Sequence, residues 1–127
     1  METGGMKGRR KELTRTELHG QLTQCFGVRS IHSEYGMTEL FSQAYSTENG
    51  IFEQSETLRV SCREYNDPFA PSKKGKAGII HLIDLCNIDS CAFIKTQDIG
   101  IQHENNTFEV LGRLDLSDLR GCNLMVV

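Results

Sequence analysis

Apolar and polar positions along the chain follow helical spacing near the start and strand-like spacing from about residue 58 onward. Thr14 is placed to cap a helix, with Glu17 three residues on completing a capping box and Leu13 and Leu18 at the staple positions. Leu18, Leu22, Cys25 and Phe26 then form one apolar stripe, and Gly27 supplies the stop. That stripe predicts core packing for Cys25, with His19 beside it on a surface or boundary face. Val28 to Glu34 reads as a short strand, Tyr35-Gly36 as a tight turn, and Thr38 to about Tyr45 as a short helix. A strand–turn–helix junction of this kind sets an aromatic face, a hydroxyl, a carboxylate and helix-start amides on one small concave surface.

Downstream, Ser46 to Glu56 is polar and turns at Asn49-Gly50. Leu58 to Tyr65 alternates, with Leu58, Val60 and Cys62 on one side and Arg59, Ser61 and Arg63 on the other, as in a half-buried antiparallel strand. Asn66 to Lys76 carries both prolines and three lysines and predicts an exposed loop. Ala77 to Leu85, AGIIHLIDL, is the most apolar run and predicts a central strand, with His81 a satisfied core or boundary side chain. Ser90 to Gln97 predicts another strand with Asp98 just past its end. Ile101 to His103 and Phe108 to Leu111 predict a hairpin about Asn105-Asn106, which leaves His103 exposed, and Asn123 to Val127 a last strand. The expected fold class is α+β: one or two short N-terminal helices, then a small, twisted, barrel-like, mainly antiparallel sheet. Residues 1–127 are expected to form one domain, with 1–46 a strand-and-helix part and 57–127 a β subdomain.

Composition narrows the function classes. An apolar fraction of 38% and a charged fraction of 24% over 127 residues fit one globular domain. The net charge of -3 gives no overall footprint for nucleic acid, and the basic run KGRRK at 7–11 reads as a solvated stretch. No apolar run is long enough to span a bilayer. Five widely spaced cysteines, Cys25, Cys62, Cys86, Cys91 and Cys122, form no CxxC pair or Cys-His metal pattern. They argue for reduced thiols in a soluble, cytoplasmic protein, with Cys62, Cys86 and Cys91 assigned to packing.

Three short blocks carry candidate chemistry: SEYGMTE at 33–39, TQDIG at 96–100 and GRLDLSDLRG at 112–121. In that order they resemble the Tyr-Gly-x-Thr-Glu, Thr-Gly-Asp and Gly-Arg-x-Asp blocks of the acyl-adenylate-forming ligase superfamily. The opening METGGMKGRR, the phrase IHSEYGMTELFSQAYS, the run IDLCNIDSCAFI and the ending GRLDLSDLRGCNLMVV narrow the likeness. Together they resemble the C-terminal part of the fatty acyl-protein synthetases (LuxE-like). Only the last third or so of such a protein is covered, so the sequence is expected to be a C-terminal fragment, inactive or nearly so alone, with an N-terminal domain missing.

The resemblance implies a role for each matching residue. Tyr35 would stack on adenine, a contact worth ~1–3 kcal/mol per base, above the close-approaching backbone of Gly4 and Gly5. Gly36 would lie beside it. Thr38 would hydrogen-bond the α-phosphate, and Glu39 would hold Mg2+ together with the phosphates of ATP. Asp98 would accept from the ribose hydroxyls of ATP or AMP, Arg113 would reach the ribose or phosphate, and Asp115 would mark a hinge. Cys122 stands where a thiol would take the acyl group from acyl-AMP as a thioester, and reads equally as a small buried side chain. Gln97 replaces the superfamily's glycine. The stretch after Asp115 is one residue short of the usual hinge and lacks its lysine. The triphosphate-gripping Ser/Thr/Gly loop is absent from the sequence.

The substrate implied is a carboxylic (fatty) acid, and the acceptor partner an acyl-CoA reductase-type protein. A fragment would leave apolar surface open, which predicts self-association. Two alternatives stand beside this reading: a fragment of an aryl- or acyl-CoA ligase of the phenylacetate-CoA ligase type, and a non-catalytic module that binds a nucleotide or a protein. Taken singly, Tyr35, Glu39, Asp98 and Arg113 also fit a boundary aromatic, a helix-start charge, a turn residue and a surface residue.

Overall fold

Residues 1–3 and 13–114 are described by the computed structural model. The helix α1 (Arg15–Phe26) is bounded by the signals its sequence carries. Thr14 and Glu17 close a reciprocal capping box, and Gly27 ends the helix in the left-handed conformation at φ 63°. The apolar stripe behaves differently from expectation. Leu18 and Leu22 are half-buried, but Cys25 is exposed and Phe26 is 72% exposed. Among the described residues, the long-range hydrogen bonds, ion pairs and cation–π contact of α1 come from Arg15 and His19 in its first half. Arg15 sits over the Phe52 ring and pairs with Glu2, and His19 contacts Glu2 and Ser33. Among the described residues, nothing covers the end of the stripe at Cys25 and Phe26, and Cys25 is not core.

The remaining elements are β1 (Glu2–Thr3), β2 (Ser33–Tyr35), β3 (Ala44–Ser46), β4 (Ile51–Glu53), β5 (Leu58–Arg63), β6 (Ala77–Asp84), β7 (Phe93–Gln102) and β8 (Thr107–Arg113). They form one eight-stranded sheet in the order β1-β2-β3-β4-β8-β7-β6-β5. Only β1 and β2 pair in parallel; every other neighbour is antiparallel. Among the described residues the architecture is thus α+β, with one α-helix and a mainly antiparallel sheet. β5, β6 and the β7–β8 hairpin fall where alternation, the apolar run at 77–85 and the Asn105-Asn106 turn place them, Asn106 taking φ 60° at the turn.

Two predicted elements are corrected. No helix follows Thr38; after a turn the chain returns as β3, pairing Tyr35 with Ala44. Ala44 and Ser46 are buried and Tyr45 is exposed, an alternation that a strand satisfies and one short helical turn does not. In addition, Asp98 does not follow a strand end. β7 runs unbroken through it to Gln102.

The core lies on one face of the sheet. Phe52 and Phe108 stack at 5.4 Å between centroids, and Tyr35 sets its edge against both at 6.0 and 5.7 Å. Leu58, Val60, Cys62, Ile80 and Leu82 continue this layer across β5 and β6. Gly100 lets the strands close: a Cβ there would strike the Glu109 carbonyl and come within 2.6 Å of Ile80 Cδ1. Cys62 is buried as expected, whereas Cys86 and Cys91 are exposed thiols around the short 3-10 turn Leu85–Asn87. They flank a connection outside the core layer, so packing does not account for them.

Candidate functional site

The Tyr35 hydroxyl donates to Asp98 Oδ2 at 2.8 Å, and Arg113 Nε lies 3.3 Å from Asp98 Oδ1. Three residues from the three sequence blocks therefore meet at one carboxylate. Their meeting requires a curled sheet. β2 and β7 stand four strand steps apart in the sheet order, or about 19 Å if the sheet were flat. Bending brings their core faces together and gives the barrel-like form.

Local irregularity in β7 aims Asp98 inward. His81 pairs with Lys95 and Ile79 with Ile99, so Thr96–Gln97–Asp98 faces the single residue Ile80. This bulge is held by Thr96, whose hydroxyl donates to the Ile80 carbonyl at 2.8 Å and accepts from the Asp98 amide at 3.0 Å. Arg113 comes from the end of β8, opposite Asp98 in register. Asp98 is 8% exposed, while the Arg113 side chain is 79% exposed and free to swing toward a ligand. Burial pushes the Tyr35 phenol well above its ordinary value, and the adjacent Asp98 carboxylate pushes it further, so the group stays a proton donor.

Tyr35 itself is only 8% exposed. Its ring is engaged edge-on by the two phenylalanines and does not present an open face for a base. Gly36, Thr38 and Glu39 lie exposed on the turn after β2. Among the described residues, neither the Thr38 hydroxyl nor the Glu39 carboxylate hydrogen-bonds to the Tyr35–Asp98–Arg113 cluster. Nor is there a group of three or more His, Cys, Asp or Glu residues placed to hold a metal ion. Gly4, Gly5, Asp115 and Cys122 lie outside the described residues.

Amides after the Thr-Glu pair do bind an anion, but it is the chain's own. Asp84, fully buried at the end of β6, accepts from the Phe41 amide at 2.8 Å and the Ser42 amide at 2.9 Å. It also accepts from the Ser42 hydroxyl at 2.6 Å and the Cys86 amide at 3.0 Å. Burial pushes this carboxyl up, but the Ser42 hydroxyl and the three amides outweigh it and hold it below the usual Asp value. Asn87 completes the latch by donating to the carbonyls of Glu39 and Cys91 at 2.8 and 3.0 Å. Residues 39–42 are thereby tied to the end of β6 and the turn that follows it. The signal for Asp84 was in the sequence: Ile80, Leu82 and Asp84 share one strand face, so a carboxylate on a core face had to find donors.

No family model matches the sequence, and no curated protein does. Solved structures do match. The luciferase-like enzyme of the nonluminescent mealworm Zophobas morio shares 16% identity over 77% of this chain and 29% of its own, with a TM-score of 0.56. The O-succinylbenzoate coenzyme A synthetase MenE of Bacillus subtilis, in complex with AMP, shares 18% over 73% and 23%, at 0.53. An ATP-bound RpMatB–BxBclM chimera shares 16% over 76% and 23%, at 0.57. The fold of this chain matches a part of each of these structures. The chain spans between about a fifth and a third of the length of the structures it matches. At such identities the likeness is one of fold alone. Among the described residues, no helix is long and apolar enough to cross a membrane.

Proposed function

We propose that this chain is the nucleotide-site portion of an ATP-dependent acid-activating ligase, in which Asp98 holds the ribose of ATP or AMP. The observation that carries the reading is the Tyr35–Asp98–Arg113 cluster, built from separate strands on a fold matched by AMP-bound and ATP-bound structures. The donor chemistry fits the group. Asp98 Oδ2 already accepts an O–H donor from Tyr35, so a ribose hydroxyl needs the same acceptor, and a carboxylate serves two donors with its two oxygens. Arg113, mostly exposed, would turn from Asp98 Oδ1 to a phosphate or the ribose. Tyr35 would have to release its edge contacts to stack on adenine. Otherwise it serves by orienting Asp98. Thr38 would hydrogen-bond the α-phosphate from the turn. Glu39 is one exposed carboxylate, which suits Mg2+ only if substrate phosphates and waters complete its shell.

The reaction is attack of a carboxylate oxygen on the α-phosphorus of ATP, forming acyl-AMP and releasing pyrophosphate. A thiol then attacks the acyl carbon, forming a thioester and releasing AMP. The finer reading is a fatty acid as substrate and Cys122 as the thiol, with the acyl group passed on to an acyl-CoA reductase-type partner. Coenzyme A as acceptor, the phenylacetate-CoA ligase type, is the second reading. Given the span of the chain, either reaction is carried out within a longer polypeptide. The test is carboxylic-acid-dependent exchange of label between pyrophosphate and ATP by that polypeptide. Asp98→Ala is expected to lower exchange by 10²-fold or more, on the order of what loss of a positioning group costs. Exchange that is unaffected, or absent with every acid tried, overturns the proposal. Loss of acyl-enzyme in Cys122→Ser favours protein acylation, and an unchanged coenzyme A ligase rate favours the second reading.

A further inference from the structure

On the face of the sheet opposite the core, three basic side chains stand on adjacent strands. Lys95 of β7 is directly opposite His81 of β6, and His81 is opposite Ser61 of β5. Arg63, two residues past Ser61, shares that face and pairs with Ile79. His81 and Arg63 are thus diagonal neighbours on one pleated surface, close enough for long side chains to converge. Two of the polar atoms here are orphans. Arg63 Nε and His81 Nε2 are buried and make no hydrogen bond, although Arg63 Nη1 is anchored on the Phe69 carbonyl at 3.0 Å. Among the described residues, none of the three basic groups has an acidic partner.

Buried polar atoms without partners are uncommon and costly. Two of them side by side, with an exposed ammonium next to them, form a cradle whose missing component is an acceptor of negative charge. We propose that Arg63, His81 and Lys95 form a site for an oxyanion, a carboxylate or a phosphate group, on the outer face of the sheet. Arg63 Nε–H donates to one oxygen, and the Lys95 ammonium neutralises charge. His81 takes up one proton from solvent as the anion arrives and donates it from Nε2. The groups facing His81 from the flanking strands are Ser61 and Arg63 on β5 and Lys95 on β7. In the free protein burial first, then the Arg63 and Lys95 charges, push His81 below its ordinary value and keep it neutral. A bound anion reverses those charges' effect, so the bound value lies above the free one. Affinity then rises as pH falls from the bound value to the free value and levels off below it.

This site is distinct from the Asp98 cluster and is tested without nucleotide. The His81 imidazole resonances of the 127-residue chain are followed against pH in sodium chloride, inorganic phosphate and acetate at matched ionic strength. Their assignment comes from His81→Gln. The expected result is a titration midpoint higher by about 1 unit or more in an oxyanion than in chloride, and no such rise in Arg63→Gln. A rise with phosphate alone makes the natural ligand a phosphate group, with acetate alone a carboxylate, and with both either one. Equal midpoints in all three salts overturn the proposal, as does a rise that survives intact in Arg63→Gln while the remaining spectrum shows the fold unchanged.

Discussion

Asp98 shows how differently two contacts to one carboxylate can count. Its bond from Tyr35 is buried, whereas its bond from Arg113 reaches a side chain that is 79% exposed. Tyr35→Phe keeps the ring packing and removes the donor, and should cost about 1–2 kcal/mol in urea unfolding. Arg113→Gln should cost under about 1 kcal/mol, because an exposed pair gains little over solvent. Asp84 carries the pH dependence. Its folded value lies below the ordinary 3.8, so its contribution is complete above that pH and is lost as pH falls through the lower folded value. Asp84→Asn should destabilise the fold by about 2–3 kcal/mol at neutral pH and flatten the acid limb of stability against pH. Three of the residues singled out from motifs, Tyr35, Asp98 and Arg113, are found around one carboxylate. Asp84 was not singled out, because its role depends on a loop brought to it from 42 residues away in sequence.

At the scale of elements, local signals were sufficient where they were complete. The capping box and Gly27 set both ends of α1, alternation set β5, and the apolar run at 77–85 set β6. Thr14→Ala should cost about 1 kcal/mol of helix stability, seen as faster amide exchange within α1 with little change in the sheet, because among the described residues the Thr14 and Glu17 side chains bond only within this pair and not to a strand. The segment from Thr38 to Tyr45 was misread because Leu40, Phe41 and Ala44 suit a helical period. Pairing with β2 and the Asp84 latch decide the matter, and both are tertiary. Cys25 and Phe26 were misread for the complementary reason: a stripe says which face is apolar, not whether anything covers it.

The described residues form a curled sheet with one helix, and the Tyr35–Phe52–Phe108 cluster packs inside the curl. Phe108→Ala should cost about 3–5 kcal/mol and, by opening the curl, separate Tyr35 from Asp98. Apolar side chains remain open elsewhere: Phe41, Phe93 and Ile88 are each more than 70% exposed. We propose that these side chains mediate self-association of the isolated chain. Phe93→Lys should therefore shift light scattering of the isolated chain toward monomer. The account turns on a ribose meeting Asp98, and the most direct measurement is an NMR titration of the chain with AMP beside 2′,3′-dideoxy-AMP, reading the signals of Tyr35, Asp98 and Arg113. AMP is expected to move those signals and the dideoxy compound to move them far less, with Asp98→Asn abolishing the difference. Equal shifts from both nucleotides, or shifts confined to other parts of the sheet, would contradict it.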